Sequence, residues 1–327
     1  MSGLMSWLLL SSGFAAFAAL GPAPTQAQAQ EAYPSRTIRL VVGFGAGGPT
    51  DIPARFIADK LGSLLGQRVI VENKAGAAGQ IATRDVLAHP RDGYHLLLCT
   101  HFESINTALY KKVAFKLGDI APITQISRYY YGLALANSLP AQTLDEFFAH
   151  AKANPSQVHY ASVGGGSVQE IFARQLAKRA GITLNKVAFK DGATVMRELL
   201  AGRVHFFVSP TLSVLPHYQA GKLKILAVTS PERLAVAPDV PTLTEKGIHF
   251  VAFGWLGICA GAGTPQPILA LLNRHIASIV NTPDYRALIE KAGSIPLSST
   301  PEELGKILIE THEQVASTIQ EFGMQID

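Results

Sequence analysis

Short β-branched runs take turns with stretches of helical apolar spacing along most of this chain, and that alternation limits the folds open to it more than any other feature. Ile38 to Val42 is the first run, Asp51 to Leu65 then shows helical spacing and stops at Gly66, and Val69 to Val71 is the next strand. The pattern continues through His95–Cys99, Tyr131–Ala136, His159–Ser162, Lys186–Phe189, Val204–Val208 and Lys224–Thr229. Strands separated by helix-length connections pair in parallel, so the sequence predicts an α/β protein with largely parallel sheets. Thr143-Leu144-Asp145-Glu146, Ser167-Val168-Gln169-Glu170 and Thr300-Pro301-Glu302-Glu303 mark helix starts, each a Ser or Thr with Glu three residues on. No repeat or low-complexity linker interrupts the series. A change of domain is therefore expected to run through strands that cross from one lobe to the other, which makes a hinge.

Leu4 to Leu20 is almost entirely apolar or small, Pro22 and Pro24 follow, and Ala27-Gln28-Ala29 has the small-x-small pattern that signal peptidase reads. The expectation is an exported chain with a signal peptide over 1–29 cleaved after Ala29, although no Lys or Arg precedes Leu8. A membrane anchor is opposed by the short Leu-rich core and the Gln-rich stretch after it. With no Cys at the cleavage site to carry a lipid, the mature chain is expected free in the periplasm. The full sequence is 48% hydrophobic, enough for two cores. Basic residues number 28 against 24 acidic, with no dense Lys/Arg run interleaved with aromatics, so nucleic acid is not an expected partner. Cys99 and Cys259 each stand in an apolar run. An oxidising compartment would allow them to pair, and two separately buried thiols are the simpler expectation.

Two Gly-rich turns carry the chemistry. Gly43-Phe44-Gly45-Ala46-Gly47-Gly48 follows a strand, precedes a helix and satisfies G-x-G-x-x-G, with Glu72 closing the next strand as a dinucleotide site would want. Export away from the nicotinamide pool, Pro49 and Pro53 crowding the turn, and the negative Asp51 where a pyrophosphate would sit all count against that use. Such a turn also serves anion capture, its N–H groups converging on a carboxylate at the positive end of a helix, with Asp51 capping the helix or receiving a ligand amine. The second turn, Ser162-Val163-Gly164-Gly165-Gly166-Ser167, offers hydroxyls and N–H donors at another helix start. Either turn alone is explained by chain reversal; two, one in each half of an exported chain, point to a cleft with a carboxylate held between lobes.

Tyr33-Pro34-Ser35-Arg36, the turn through Pro49-Thr50-Asp51, Val71-Glu72-Asn73-Lys74-Ala75-Gly76, Asp92-Gly93-Tyr94, Tyr160-Ala161-Ser162, Leu226-Ala227-Val228-Thr229-Ser230, Pro238-Asp239-Val240-Pro241-Thr242 and Gly261-Ala262-Gly263-Thr264-Pro265 resemble, in this order, the periplasmic binding proteins of tripartite tricarboxylate transporters, the Bug family. The resemblance covers essentially the whole mature chain. It implies a two-lobed type II periplasmic binding protein, a Venus flytrap in which each lobe is a sheet flanked by helices: lobe 1 from 30–130 and 250–327, lobe 2 from 131–249. It implies a non-enzymatic monomer without cofactor or metal that passes a small carboxylate-bearing metabolite to membrane transporter subunits or, in some members, a sensor domain. Carried over residue by residue, the pocket is Phe44, Ala46, Gly47, Gly48 and Asp51 with Thr100 and His101 on the first lobe, and Ser162, Gly164, Ser167 and the turn of Phe189, Lys190, Asp191 and Gly192 on the second.

This chain departs from the family pattern at Gly43, where Pro is common and Gly loosens the turn, at Glu170, where His is common, and at His205 and Ser209, where Asp is frequent. Glu170 is expected either to complete the cap at Ser167 or to turn into the cleft and repel highly charged ligands. His101 is expected to meet a ligand carboxylate or to sit on an exposed loop, Lys190 to pair with a carboxylate or stay solvated, and Tyr129, Tyr130 and Tyr131 to border the hinge or to pack as a strand entering the second lobe. His205 is expected as a satisfied strand residue. No G-x-S-x-G, H-E-x-x-H or C-x-x-C occurs, and no His/Cys cluster has metal-ligand spacing, so a hydrolase or metalloenzyme has no motif to stand on.

Overall fold

The computed structural model describes residues 33–155, 157–163, 167–189 and 191–324. The expected signal segment lies outside them, as do Gly164 and Lys190. In chain order the elements are β1 (Ile38–Val42), α1 (Asp51–Leu65), β2 (Val69–Asn73), α2 (Gln80–Leu87), β3 (His95–Thr100), α3 (His101–Leu109), β4 (Ile120–Ala136), α4 (Leu144–Ala153), β5 (His159–Val163), α5 (Val168–Ala180), β6 (Asn185–Phe189), α6 (Gly192–Leu200), β7 (Phe206–Pro210), α7 (Thr211–Gln219), β8 (Leu223–Val228), β9 (Phe253–Gly261), α8 (Gln266–Val280), α9 (Pro283–Lys291), β10 (Ile295–Pro296) and α10 (Pro301–Phe322).

Local sequence explains the elements. α1 buries Pro53, Ala54, Ile57, Ala58 and Leu61 at helical spacing and stops at Gly66 in the left-handed conformation, φ 66°, where a Cβ would be strained. Thr300 and Glu303 complete the predicted capping box of α10. At α4, Thr143 accepts from the Glu146 N–H, while the Glu146 carboxylate reaches Gln142 N–H, one residue further back than the motif implies.

The strands run in the order β2-β1-β3-β9-β4-β7-β5-β6, with β8 and β10 also paired to β4. β1 is parallel to β2 and β3, and β5 to β6 and β7. β9 runs antiparallel to β3 and β4, and β4 antiparallel to β7, β8 and β10. The expectation of largely parallel sheets is thereby corrected: helical crossovers set parallel pairing inside each βα run, and the strands that join the runs are antiparallel. β4 carries the junction. Over its 17 residues it pairs with β9 from Ile120 to Tyr130 and with β7 from Tyr131 to Leu135. One core gathers Leu40, Ile57, Leu61, Leu272, Ile276 and Tyr285 around the first group of strands. Another gathers Leu133, Phe147, Tyr160, Ile171 and Phe206 around the second.

Cys99 on β3 and Cys259 on β9 form a disulfide, Cα atoms 5.8 Å apart, which replaces the two separate thiols expected from sequence. The reason is the β3–β9 register: Leu97 faces Cys259 and Cys99 faces Gly257, so the cysteines are diagonal neighbours on adjacent strands.

Candidate functional site

Four strand-to-helix turns end on one cleft. β1, β3, β6 and β7 deliver their carboxyl ends, through the starts of α1, α3, α6 and α7, to a cavity of about 950 Å³. Open α/β sheets take ligands at this position because helix N-termini and free backbone amides collect there. Of the residues expected from sequence, Phe44, Ala46, Gly47, Gly48, Thr100 and His101 line this cleft together.

Asp51 does not. It is 1% exposed, and its carboxylate takes the Gly47 N–H at 2.7 Å, Arg55 Nε at 2.7 Å and Asn73 Nδ2 at 2.8 Å. Burial pushes its pKa up, but these hydrogen bonds and the Arg55 charge more than reverse that and hold it at about 2. Asp51 is thus a brace behind the turn, not a receiver for a ligand amine. Gly47, at φ 75°, supplies the left-handed residue of the turn. Gly43 proves to be a packing requirement where looseness was expected: a Cβ there would lie 2.7 Å from Gly79 Cα.

The β3–α3 turn is fixed by a carboxylate that the sequence reading missed. Buried Glu103 accepts from Thr100 N–H at 2.6 Å, Thr100 Oγ1 at 3.1 Å and Thr83 Oγ1 at 3.0 Å. Burial raises its pKa against the pull of those bonds. The signal was present: Thr100-His101-Phe102-Glu103 has the same Thr-x-x-Glu spacing as the other helix starts. His101 opens α3 and is 3% exposed, so the exposed-loop expectation is corrected. Burial lowers its pKa to about 4, outweighing its hydrogen bond to the Trp255 backbone, which keeps the ring neutral at pH 7. His101 therefore offers a ligand an aromatic, uncharged wall.

The second Gly-rich turn is placed differently. Ser162 is fully buried and donates to Glu170 Oε2 at 3.3 Å, and Ser167 caps α5 by accepting from the Glu170 N–H. Glu170, 2% exposed, takes Arg174 Nε at 3.1 Å and Lys186 Nζ at 3.0 Å. Its carboxylate thus turns toward these cations and Ser162, and Glu170 is not part of the cleft wall. Ser162 and Ser167 are not part of it either, and Phe189 packs against the core holding Val195 and Leu199. The second side of the cleft comes from Asp191, in the turn expected from sequence, and from Ala193, Pro210, Leu212 and Ser213, at the β6–α6 and β7–α7 turns. Among the flanking tyrosines, Tyr131 is core as expected, while Tyr129 lines the cleft. His205 is satisfied, its Nδ1 accepting from the His159 N–H at 3.1 Å.

No cluster of three or more His, Cys, Asp or Glu among the described residues is arranged to hold a metal, and no helix among them is long and apolar enough to cross a membrane.

Similarity to known proteins agrees with the fold. Residues 53–324 match the family model of the tripartite tricarboxylate transporter family receptor. The chain is 31% identical to the protein BugT of Bordetella pertussis over 300 residues, 90% of this chain and 92% of that one. An R. palustris protein solved with adipate superposes with a TM-score of 0.80 at 26% identity, over 90% of this chain and 99% of that one. The periplasmic binding protein BugD superposes at 0.77 with 30% identity, over 90% and 99%. The chain belongs to the tripartite tricarboxylate transporter receptor family.

Proposed function

We propose that this chain is a periplasmic, non-enzymatic receptor that closes on a small carboxylate-bearing metabolite and hands it to a membrane transporter. The observation that carries this reading is the meeting of four strand-end turns on one cleft, with Phe44, Ala46, Gly47, Gly48, Thr100 and His101 on one side and Asp191 with Leu212 on the other. Residues 30–130 with 250–327 form one lobe and 131–249 the other. The hinge is β4, whose partner changes between Tyr130 and Tyr131. The ligand carboxylate rests on the 45–48 turn, where the N-terminus of α1 favours negative charge. The R. palustris relative holding adipate supports a carboxylic acid as the class of ligand. Export follows from the 1–29 segment, cleaved after Ala29.

A thermal-shift screen of the mature protein against mono-, di- and tricarboxylates tests this. Ligand at ~100 times its Kd adds about 2.7 kcal/mol of apparent stability, enough to move a melting curve visibly. In Gly48→Val the new Cβ meets the Gly45 carbonyl oxygen at 3.2 Å, within the turn itself. That variant should melt cooperatively without ligand and lose the ligand-induced shift; a retained shift moves the site elsewhere.

A further inference from the structure

The cleft has a neighbour. A second cavity of about 650 Å³ lies between α3, α5 and α10, walled by Ile105, Phe172, Phe250 and Phe253 with Gln175 and Gln314. Its far side is tied from α5 to α10, where Gln175 Nε2 donates to Thr318 Oγ1 and Lys178 pairs with Glu321. Among the described residues, His101 alone borders both this rear cavity and the cleft. At that point the two spaces are separated by the thickness of one side chain.

The His101 ring is a fixed partition. It packs on Phe102 at 4.5 Å and edge to face against Tyr129 at 5.9 Å, centroid to centroid, and hydrogen-bonds to the Trp255 backbone. Its backbone opens α3 directly after Thr100, whose N–H and hydroxyl are held by Glu103, and β3 behind it is joined to β9 by the disulfide. A ring held on three sides does not swing aside for a ligand. From the 45–48 turn the cleft wall runs past Phe44 and Phe102 to this ring. Each methylene buried along such a wall strengthens binding roughly fourfold. One methylene too many meets a side chain that cannot yield, and overfilling a packed space costs more than the methylene contributes.

Resting on the reading of this cleft as the ligand site, we propose that His101 is its end wall: by closing the way to the rear cavity, the ring sets the longest carboxylate chain the protein accepts. The property selected is chain length, and the rear cavity is the space that a longer chain enters once the ring is removed.

The experiment is calorimetric titration of the full mature protein with straight-chain mono- and dicarboxylates of four to ten carbons, repeated on His101→Ala, His101→Ser, His101→Phe and Gly48→Val. In the natural protein affinity should rise to a best length and fall at least tenfold within two further carbons. His101→Ala and His101→Ser should each move that cutoff at least two carbons longer. His101→Phe, which keeps a ring in the partition, should not lengthen it. Adding Gln314→Trp to His101→Ala fills the rear cavity and should restore the short cutoff. The proposal is overturned by a natural protein with no cutoff, or by a cutoff unmoved in whichever truncated variant melts cooperatively. It is overturned equally by a cutoff that His101→Phe lengthens or that Gln314→Trp leaves long, and by binding of no member of either series up to millimolar concentration. Gly48→Val separates this failure from that of the reading beneath it. Loss of all binding in Gly48→Val beside an unmoved cutoff in His101→Ala leaves the cleft reading standing without the partition, whereas binding of the whole series by Gly48→Val overturns the cleft reading itself.

Discussion

Burial lowers the His101 pKa to about 4 from an ordinary 6.5, against the upward pull of its hydrogen bond to the Trp255 backbone. Between those values the unfolded chain binds more protons at this site than the folded one, so stability rises with pH across that window and falls as pH drops from 6.5 toward 4. Asp51 titrates below the window: its carboxylate, held at about 2, contributes above pH 3.8 and loses that contribution only as pH falls through 2. Chemical denaturation at pH 7 and pH 4.5 should therefore show a His101-dependent loss on the order of 2 kcal/mol. His101→Asn should flatten the pH dependence by about that amount, and an unchanged slope in the variant would reject the assignment. At this scale some of the site is written in the chain. Gly47 announces a turn because its φ of 75° is one that glycine adopts without strain. The charge state of His101 is not legible, because the Trp255 and Tyr129 packed near it come from distant segments.

β3 and β9 are joined twice, by their antiparallel ladder and by the Cys99–Cys259 disulfide, across a sequence separation of 160 residues. Loop-closure entropy for a span of that length predicts a stabilisation of about 5 kcal/mol, and measured values for native disulfides run from about 2 to 5. The Cys99→Ala, Cys259→Ala double variant should lose that much in urea denaturation and keep its ligand affinity, because neither cysteine borders the cleft. A loss under 1 kcal/mol would show that the ladder alone carries the junction. β9 was the element hardest to see in advance. Its Trp255-Leu256-Gly257-Ile258-Cys259 run is apolar on both faces, as suits a strand flanked on either side, and so lacks the alternation that identifies a half-exposed strand.

At the scale of the molecule, β4 crosses from one group of strands to the other without a break, so closure bends a continuous strand where its partner changes between Tyr130 and Tyr131. A compact chain of this length has a radius of gyration of about 19 Å. Small-angle scattering should show that radius fall on saturation with a carboxylate that gives a thermal shift, with a matching change in the pair-distance distribution. Superimposable curves with and without ligand would reject the clamp.

The sequence by itself determined the alternation of strands and helices from β1 to β8, the caps at Thr143, Ser167 and Thr300, and the glycine turn at 43–48, because each depends on residues a few positions apart. Tertiary structure alone decided the antiparallel junction strands, the pairing of the cysteines, the approach of Lys186 to Glu170, and the contacts of Phe44 with Phe102 and of His101 with Tyr129. Those features depend on which distant segments lie side by side, and local pattern carries no information about adjacency. The same gap explains why Leu212 and Leu256 reach the cleft unannounced: their neighbours there are supplied by the sheet order, and their apolar character would have suited any core.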